Sequence, residues 1–113
     1  MQTHFTLHAY ERIAERVNIS TEQLARLIDN DLTVPLGMEP GTTRIHRLFY
    51  SHVDGHCFVI VQDERTGSVI TVLPVDYHDR IAWRVSFAAQ QMARSLVYAQ
   101  NRTAHTPANK IYN

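Results

Sequence analysis

The chain has a single cysteine, no long apolar run, and no positively charged start followed by the apolar segment of a signal peptide. Cys57 alone cannot form an intrachain disulfide. The longest apolar run covers only residues 57–61, far short of the roughly 18 residues needed to cross a bilayer. We therefore expect a cytoplasmic protein with no membrane insertion.

The chain also has no excess of either charge, because eleven basic residues balance eleven acidic ones. The chain lacks the strong positive field of a general nucleic-acid coating protein, so any RNA contact needs a local patch. A Gly-rich phosphate loop, a Ser-centred nucleophile elbow and a paired-carboxylate motif are absent as well. Their absence argues against nucleotide hydrolysis and α/β-hydrolase chemistry.

The length of 113 residues and the apolar content of 44% suit one hydrophobic core. We expect a single α+β domain over residues 1–101 and a polar, irregular tail over residues 102–113, in which Ile111 and Tyr112 offer an apolar anchor. The domain is predicted to contain an N-terminal helix hairpin, a three- to four-stranded antiparallel meander and a long C-terminal helix.

The first third of the chain has the periodicity of two helices. Thr6 can cap a helix over residues 7–18. Its predicted buried stripe recurs at every fourth position: Ala9, Ile13 and Val17. Ser20, followed three residues later by Gln23, forms a capping box for a second helix that reaches about residue 29. The short connection predicts that the two helices lie side by side.

The middle of the chain reads as strands. Residues 30–43 are rich in proline and glycine and are predicted to form a loop, with a short edge strand over 33–36 as an addition. Three further strands are predicted over residues 44–52, 56–62 and 68–73, with a two-residue turn at Asp54 and Gly55. The continuous apolar centre of the second of these predicts burial on both faces.

Pro74 ends the last strand, and Asp76 or Asp79 can start a helix that continues to about residue 100. The apolar band of this helix is wider than one sheet face requires, and Trp83 and Phe87 lie to one side of it. The extra width predicts a second contact, either with another protein or with a second copy of the chain.

The first helix carries a row of polar residues that could have a chemical role. His8, Arg12 and Arg16 recur at every fourth position, which places them together beside the buried stripe, where they can hold an anion. Glu11 and Glu15 have the same spacing. The alternative interpretation is therefore a solvated helix face with salt bridges.

The same segment carries a resemblance. The residues concerned are His8, Ala9, Glu11, Arg12, Ile13, Glu15 and Arg16, followed by Ile19, Ser20, Glu22 and Leu24. This pattern resembles the opening of the DUF4258 family of small bacterial proteins, which is grouped by fold with the barnase–EndoU–colicin–RelE type of ribonuclease toxins. A weaker likeness continues into the strands at residues 58–61 and 67–73.

The resemblance implies a helix-first fold on a curved antiparallel sheet, with RNA bound across the open sheet face. Cleavage would be attack of the ribose 2′-hydroxyl on the adjacent phosphate, which requires a proton acceptor, a proton donor and positive charge at the phosphoryl oxygens. His8 matches the family's leading histidine and takes the acid or base role. Arg12 and Arg16 match the phosphate-binding arginines, although one of them alternatively has a structural role. Thr71 would direct its hydroxyl at the phosphate, or else is an ordinary strand residue.

The first long strand supplies candidates for RNA binding. Arg44, His46 and Tyr50 share one face by alternation, and such a face can bind RNA by stacking and phosphate contact. The alternative is the solvent side of an amphipathic strand.

Two functional hypotheses follow. The first is a toxin-like endoribonuclease, or an RNA-binding relative of one, without a cofactor. The second is a non-catalytic accessory, immunity or regulatory protein that binds another protein, or a second copy of itself, through the helix face of Trp83 and Phe87. No metal site is expected, because His52 and His56 beside the Asp54 turn lack further zinc ligands. Cys57 is expected to have a core role rather than that of a nucleophile.

Overall fold

The computed structural model describes residues 3–110, and the side chains of residues 3–99. The fold is α+β, with a five-stranded mixed sheet in the order β1-β5-β4-β3-β2. Among the described residues no helix combines the length and apolar content required to span a bilayer. The elements are β1 His4–Phe5, α1 Leu7–Arg16, α2 Thr21–Asp29, β2 Val34–Met38, β3 Arg44–Ser51, β4 His56–Asp63, β5 Ser68–Pro74, α3 Val75–Ile81 and α4 Phe87–Lys110.

The two N-terminal helices form where their capping signals predict. The Thr6 hydroxyl accepts a hydrogen bond from the Ala9 amide at 3.1 Å, and Ser20 and Gln23 form both bonds of the capping box. The helices do not pack along each other as the predicted hairpin requires. Helix α1 packs mainly on β5, and the two helices meet through the core that they share with the sheet, since each buries its apolar stripe there.

The predicted antiparallel meander is present as β2-β3-β4-β5. Strand β2 is the edge strand that was predicted over residues 33–36, and Pro35 is tolerated there because an edge strand has amides without ladder partners. The fifth strand, β1, pairs parallel with β5 and was not predicted. Two residues are too few to show the alternation that reveals a strand.

Both faces of the sheet are covered. Helices α1 and α2 cover the face that carries Phe49 and Ile60, while α4 covers the face that carries Leu48 and Val59. This arrangement explains why β4 is buried along nearly its whole length, as its apolar centre predicts. It also corrects the expectation of an open sheet face.

The predicted single C-terminal helix is wrong, because residues 82–86 separate α3 from α4. The Asp79 carboxylate accepts a hydrogen bond from the Val85 amide at 2.7 Å, and the Ser86 hydroxyl caps α4 by accepting from the Ala89 amide at 3.0 Å. Trp83 therefore lies in the connection and not on a helix face with Phe87. The backbone of α4 continues to Lys110, beyond the predicted end near residue 100, and Ile111 and Tyr112 lie outside the described residues.

Asp54 fastens the connection between α1 and α2 to the β3–β4 turn. Its carboxylate accepts hydrogen bonds from the Ser51 hydroxyl at 2.6 Å and from the amide and side chain of Asn18 at 2.9 and 2.6 Å. Burial acts to raise the pKa of Asp54, but these hydrogen bonds and the nearby His56 outweigh it and lower the pKa below its ordinary value.

Asp54→Asn is expected to destabilise the protein by about 1–2 kcal/mol at neutral pH, because hydrogen bonds to a charged acceptor are replaced by weaker ones. A carboxyl whose pKa is lowered by folding stabilises the protein above its unfolded pKa, near 3.8, and loses this effect as the pH falls through its folded pKa. The difference between wild type and variant should therefore shrink below about pH 4. Urea denaturation across pH measures it, with exposed Asp76→Asn as the control; a difference that does not change with pH would contradict the assignment.

Candidate functional site

A cavity of about 590 Å³ opens between the β2–β3 turn, the sheet and α3. This volume lies in the range of small-molecule and nucleotide sites. Its polar lining consists of Glu39, Arg44, His46, Thr71 and Tyr77. Its apolar lining includes Val61, Ile70, Leu73, Ile81 and Trp83.

A carboxylate and two histidines form a continuous hydrogen-bonded chain at this cavity. Glu39 Oε1 lies 3.0 Å from His46 Nε2, and His46 Nδ1 lies 2.8 Å from His78 Nε2. His46 is 4% exposed and His78 is fully buried, whereas the Glu39 side chain is 33% exposed. Glu39 is thus the member of the chain that can reach a ligand, and the histidines hold it in place.

The protons of this chain follow from its geometry. An ionised Glu39 accepts a hydrogen bond, so His46 Nε2 must carry a proton. In the neutral form of the pair, His46 Nδ1 accepts from a protonated His78 Nε2. In this form His78 Nδ1 carries no proton.

His78 favours the neutral form of the pair. Its burial and the neighbouring His46 lower the pKa of His78 below its ordinary value, while the Trp83 backbone and Asp79 act weakly in the opposite direction. Among the described residues, His78 Nδ1 has no hydrogen-bond partner of good geometry. A buried nitrogen without a partner costs free energy, and such costs are concentrated at functional sites.

The Trp83 ring fixes the position of His46 by stacking on its imidazole ring. The two rings stack with centroids 4.6 Å apart, and Trp83 also meets the His78 ring edge-on at 5.1 Å. On its other side the indole lies against Gly37, whose φ of 151° is one that residues with a side chain rarely adopt. The indole thus keeps His46 pointed at Glu39.

Arg44 supplies the positive charge of the cavity. It begins β3, directly after the turn that carries Glu39, and its exposed guanidinium forms no ion pair with the other described residues. Asp63 lies opposite on β4. The Asp63 carboxylate is occupied by the Thr43 hydroxyl and by the amides of Arg65 and Thr66. Arg44 is therefore available to an anion.

Two hydroxyl groups complete the polar lining. Thr71 pairs with Val61 across β5 and β4 and lines the cavity beside a shift in strand register. Tyr77 stands on the α3 wall, 41% exposed, with the Arg80 guanidinium 5.6 Å from its ring centre. The site thus combines an accessible carboxylate, a cation and two hydroxyls over an apolar floor.

The predicted row on α1 does not line this cavity. His8 is exposed on α1, and Arg12 is hydrogen-bonded to Glu15, three residues on. Arg16 donates to the backbone carbonyl of Val72 on β5 at 2.6 Å. Both arginines are therefore engaged within the chain. The Arg12–Glu15 pair agrees with the alternative interpretation of a helix face with salt bridges, and the Arg16 bond agrees with a structural role for one of the two arginines. The catalytic role of His8 stays a prediction.

The predicted sheet residues are divided between two sites. Arg44, His46 and Thr71 all line the cavity, although the His46 side chain is almost fully buried. Tyr50 shares their face of the sheet but is 7% exposed under α4, where its ring contacts Tyr98. Alternation along β3 predicts a shared face and cannot predict which helix covers it.

Glu39, Tyr77 and His78 were missed by sequence reasoning. Glu39 lies in a segment that was predicted as a loop, and Tyr77 and His78 were assigned to a continuous helix. Ser86 was a local signal for them, because a serine at this position can cap a new helix. A new helix at residue 87 implies that the helix carrying Tyr77 and His78 ends before it.

Metal ligands and reactive thiols do not add to the site. Among the residues that the structure describes, no group of three or more His, Cys, Asp or Glu is placed to hold a metal ion. Burial raises the pKa of the Cys57 thiol to about 11, so the thiolate that would act as a nucleophile is disfavoured.

No protein-family model, curated protein or solved structure matches the chain.

Proposed function

We propose that the chain is an endoribonuclease that cleaves single-stranded RNA in the cavity between the β2–β3 turn and α3. The observation that carries the proposal is the Glu39 carboxylate, which is held by His46 and is partly exposed in the same cavity as Arg44, a cation without an ion pair to the other described residues. A fixed proton acceptor next to a cation is what attack of a hydroxyl on a phosphodiester requires. The resemblance of the first helix to the DUF4258 family implies the same class of reaction, although the residues that carry it do not line this cavity.

In the proposed reaction the ribose 2′-hydroxyl gives its proton to Glu39 as its oxygen bonds to phosphorus. The bond from phosphorus to the 5′ oxygen breaks, and Tyr77 donates the proton that this leaving oxygen takes up. Arg44 binds the phosphoryl oxygens, where its forked donors match their geometry, and Thr71 donates a further hydrogen bond. The products are a 2′,3′-cyclic phosphate and a free 5′-hydroxyl. The proton that Glu39 has taken up then passes through solvent water to the Tyr77 phenolate, which returns both groups to their starting forms.

His46 and His78 act as positioning residues in this mechanism. The hydrogen bond from His46 orients one oxygen of Glu39, and the other oxygen takes up the substrate proton. His78 fixes the ring orientation of His46 through the bond between their nitrogens. A carboxylate positioned in this way loses little conformational entropy when the substrate binds.

Arg44→Gln is expected to lower kcat/KM for cleavage of a short single-stranded RNA by roughly 10- to 100-fold, because a charge-assisted contact with the phosphate is lost. The assay follows formation of the cyclic phosphate end. Arg65→Gln is the matched control, since Arg65 is an exposed arginine in the β4–β5 turn, outside the cavity lining.

An RNA with a single 2′-deoxyribose at the scissile position tests the chemistry itself. It should bind and remain intact. Cleavage of this substrate at the ordinary rate, or a wild-type protein that cleaves no RNA over a wide range of concentrations, would exclude the proposed mechanism.

His8→Ala distinguishes the cavity from the row on α1. We expect this variant to cleave at the wild-type rate, because His8 does not line the cavity. Loss of cleavage with an unchanged melting temperature would restore His8 to the catalytic role that the family resemblance implies.

The second candidate is a non-catalytic protein that binds a protein partner through α4. The exposed side chains of Phe87, Met92 and Tyr98 favour it, being 73%, 58% and 42% exposed. It predicts a folded protein that cleaves no RNA and whose binding to its partner is weakened by Met92→Ala.

A further inference from the structure

A second cleft lies on the same side of the sheet, where the first turns of α4 pass over the β3–β4 turn. Its volume is about 300 Å³. Its lining includes Tyr50, Gly55, Phe87, Gln90, Gln91 and Arg94. No step of the proposed reaction uses any of them.

The chemistry of this cleft fits a nucleotide. Phe87 is 73% exposed at its rim, so one face of an aromatic ring is open to stacking. Gln90 and Gln91 offer side-chain amides, which can read the hydrogen-bonding edge of a base. The Arg94 guanidinium stands over the rings of Tyr98 and Tyr50, 5.1 and 5.9 Å from their centres, so its planar fork is held in place for a phosphate.

The chain directly connects this cleft with the cavity. Ala82 and Trp83 line the cavity, Phe87 lines the second cleft, and the connection between them carries the exposed Arg84. Arg44 and Tyr50, which mark the two ends, are six residues apart on β3. At the rise of a strand they are about 20 Å from each other, a distance that several nucleotides of an extended strand can cover.

Arginines predominate on the connection and at the second cleft, where Arg84 and Arg94 lie, and the Asp79 carboxylate at the connection is occupied by the Val85 amide. From Arg80 to its last residue the chain has five basic residues and no acidic one, so the overall neutrality conceals a basic C-terminal third. The Asp54 carboxylate, next to the cleft residue Gly55, is occupied by Asn18 and Ser51. A segregation of this kind favours contact with a polyanion.

We infer that the cleft formed by Phe87, Gln90, Gln91 and Arg94 is a second nucleotide subsite, which binds a base and phosphate of the same RNA strand that enters the cavity. The inference rests on the proposed function for the identity of the strand. In this arrangement the cavity holds the scissile phosphate, Arg84 lies along the connecting nucleotides, and Phe87 stacks on a base beyond them.

The test compares an RNA dinucleotide with a longer, cleavage-resistant strand that carries 2′-O-methyl riboses. Phe87→Ala should weaken binding of the longer strand by roughly 5- to 150-fold, as loss of one stacked base does. The same variant should leave cleavage of the dinucleotide unchanged. Arg94→Gln should weaken binding of the longer strand and reduce the salt dependence of its Kd by about one phosphate contact.

Two controls match these variants. Met92→Ala removes a side chain that is 58% exposed on the same helix but does not line the cleft. Arg65→Gln removes an exposed cation elsewhere. Neither should change the affinity for the longer strand.

The outcomes separate the two proposals. Equal binding of the longer strand by wild type and Phe87→Ala, with dinucleotide cleavage intact, would overturn the subsite and leave the reaction standing. Binding that depends on Phe87 and Arg94, without cleavage of any RNA, would support the subsite and overturn the endoribonuclease. If Met92→Ala weakens binding as much as Phe87→Ala, the cleft is not the determinant and the inference fails.

Discussion

Replacing Glu39 by Gln is expected to lower kcat for RNA cleavage by roughly 10²- to 10⁴-fold, the usual contribution of a positioned proton acceptor. The amide oxygen of Gln can still accept the hydrogen bond from His46 Nε2, so the geometry of the chain to His78 is retained. An amide cannot take up the proton of the 2′-hydroxyl. KM and the melting temperature should therefore stay near their wild-type values while kcat falls.

Glu64→Gln is the matched control for this variant. Glu64 is an exposed carboxylate, 3.8 Å from Arg47 in a weak surface pair, and it does not line the cavity. Cleavage at the wild-type rate by both variants would remove Glu39 from the reaction. Loss of cleavage together with a large fall in melting temperature would show that Glu39 acts on stability instead.

Phe49→Ala is expected to destabilise the protein by about 3–5 kcal/mol, which is the cost of deleting a buried ring from a packed core. Phe49 is fully buried, and its ring stacks on that of Phe58 at 5.7 Å beneath α1 and α2. The helices can relax only partly around the resulting void, so the packing contacts of the ring are lost. Urea denaturation monitored by circular dichroism measures the loss, as a lower midpoint with an unchanged slope.

Phe87→Ala provides the contrast. This ring is largely exposed, and its removal should change the free energy of unfolding by no more than about 0.5 kcal/mol. Equal destabilisation by the two substitutions would mean that Phe87 is buried in solution, which would also remove it from the second subsite.

Local signals accounted for much of the fold. The caps at Thr6 and Ser20 lie where the sequence predicts them. The turn at Asp54 and Gly55 is also present, but it covers residues 52–55 and is thus four residues long, not two as predicted. The break between α3 and α4 escaped prediction because it depends on a distant contact. Trp83 leaves the helical path to stack on His46, which is on another element.

Only part of the candidate site could be predicted from the sequence. Arg44, His46 and Thr71 have residue types that suggest chemistry, and the structure brings them to one cavity. The partners that give His46 a role, Glu39 and His78, are 7 and 32 residues away from it in the chain. No local pattern joins residues at those separations, because the register of β2 on β3 and the position of α3 determine the contact.

The short strand β1 has a consequence for the order in which the protein can be made. It pairs with β5, and Thr6 at the start of α1 is hydrogen-bonded to Ile70, 64 residues later. During synthesis α1 therefore lacks its main packing surface until β5 has followed it, and contacts of such separation are slow to form. The apolar stripe of α1 thus stays partly uncovered while roughly 50 further residues are added, so that the fold closes late at this helix.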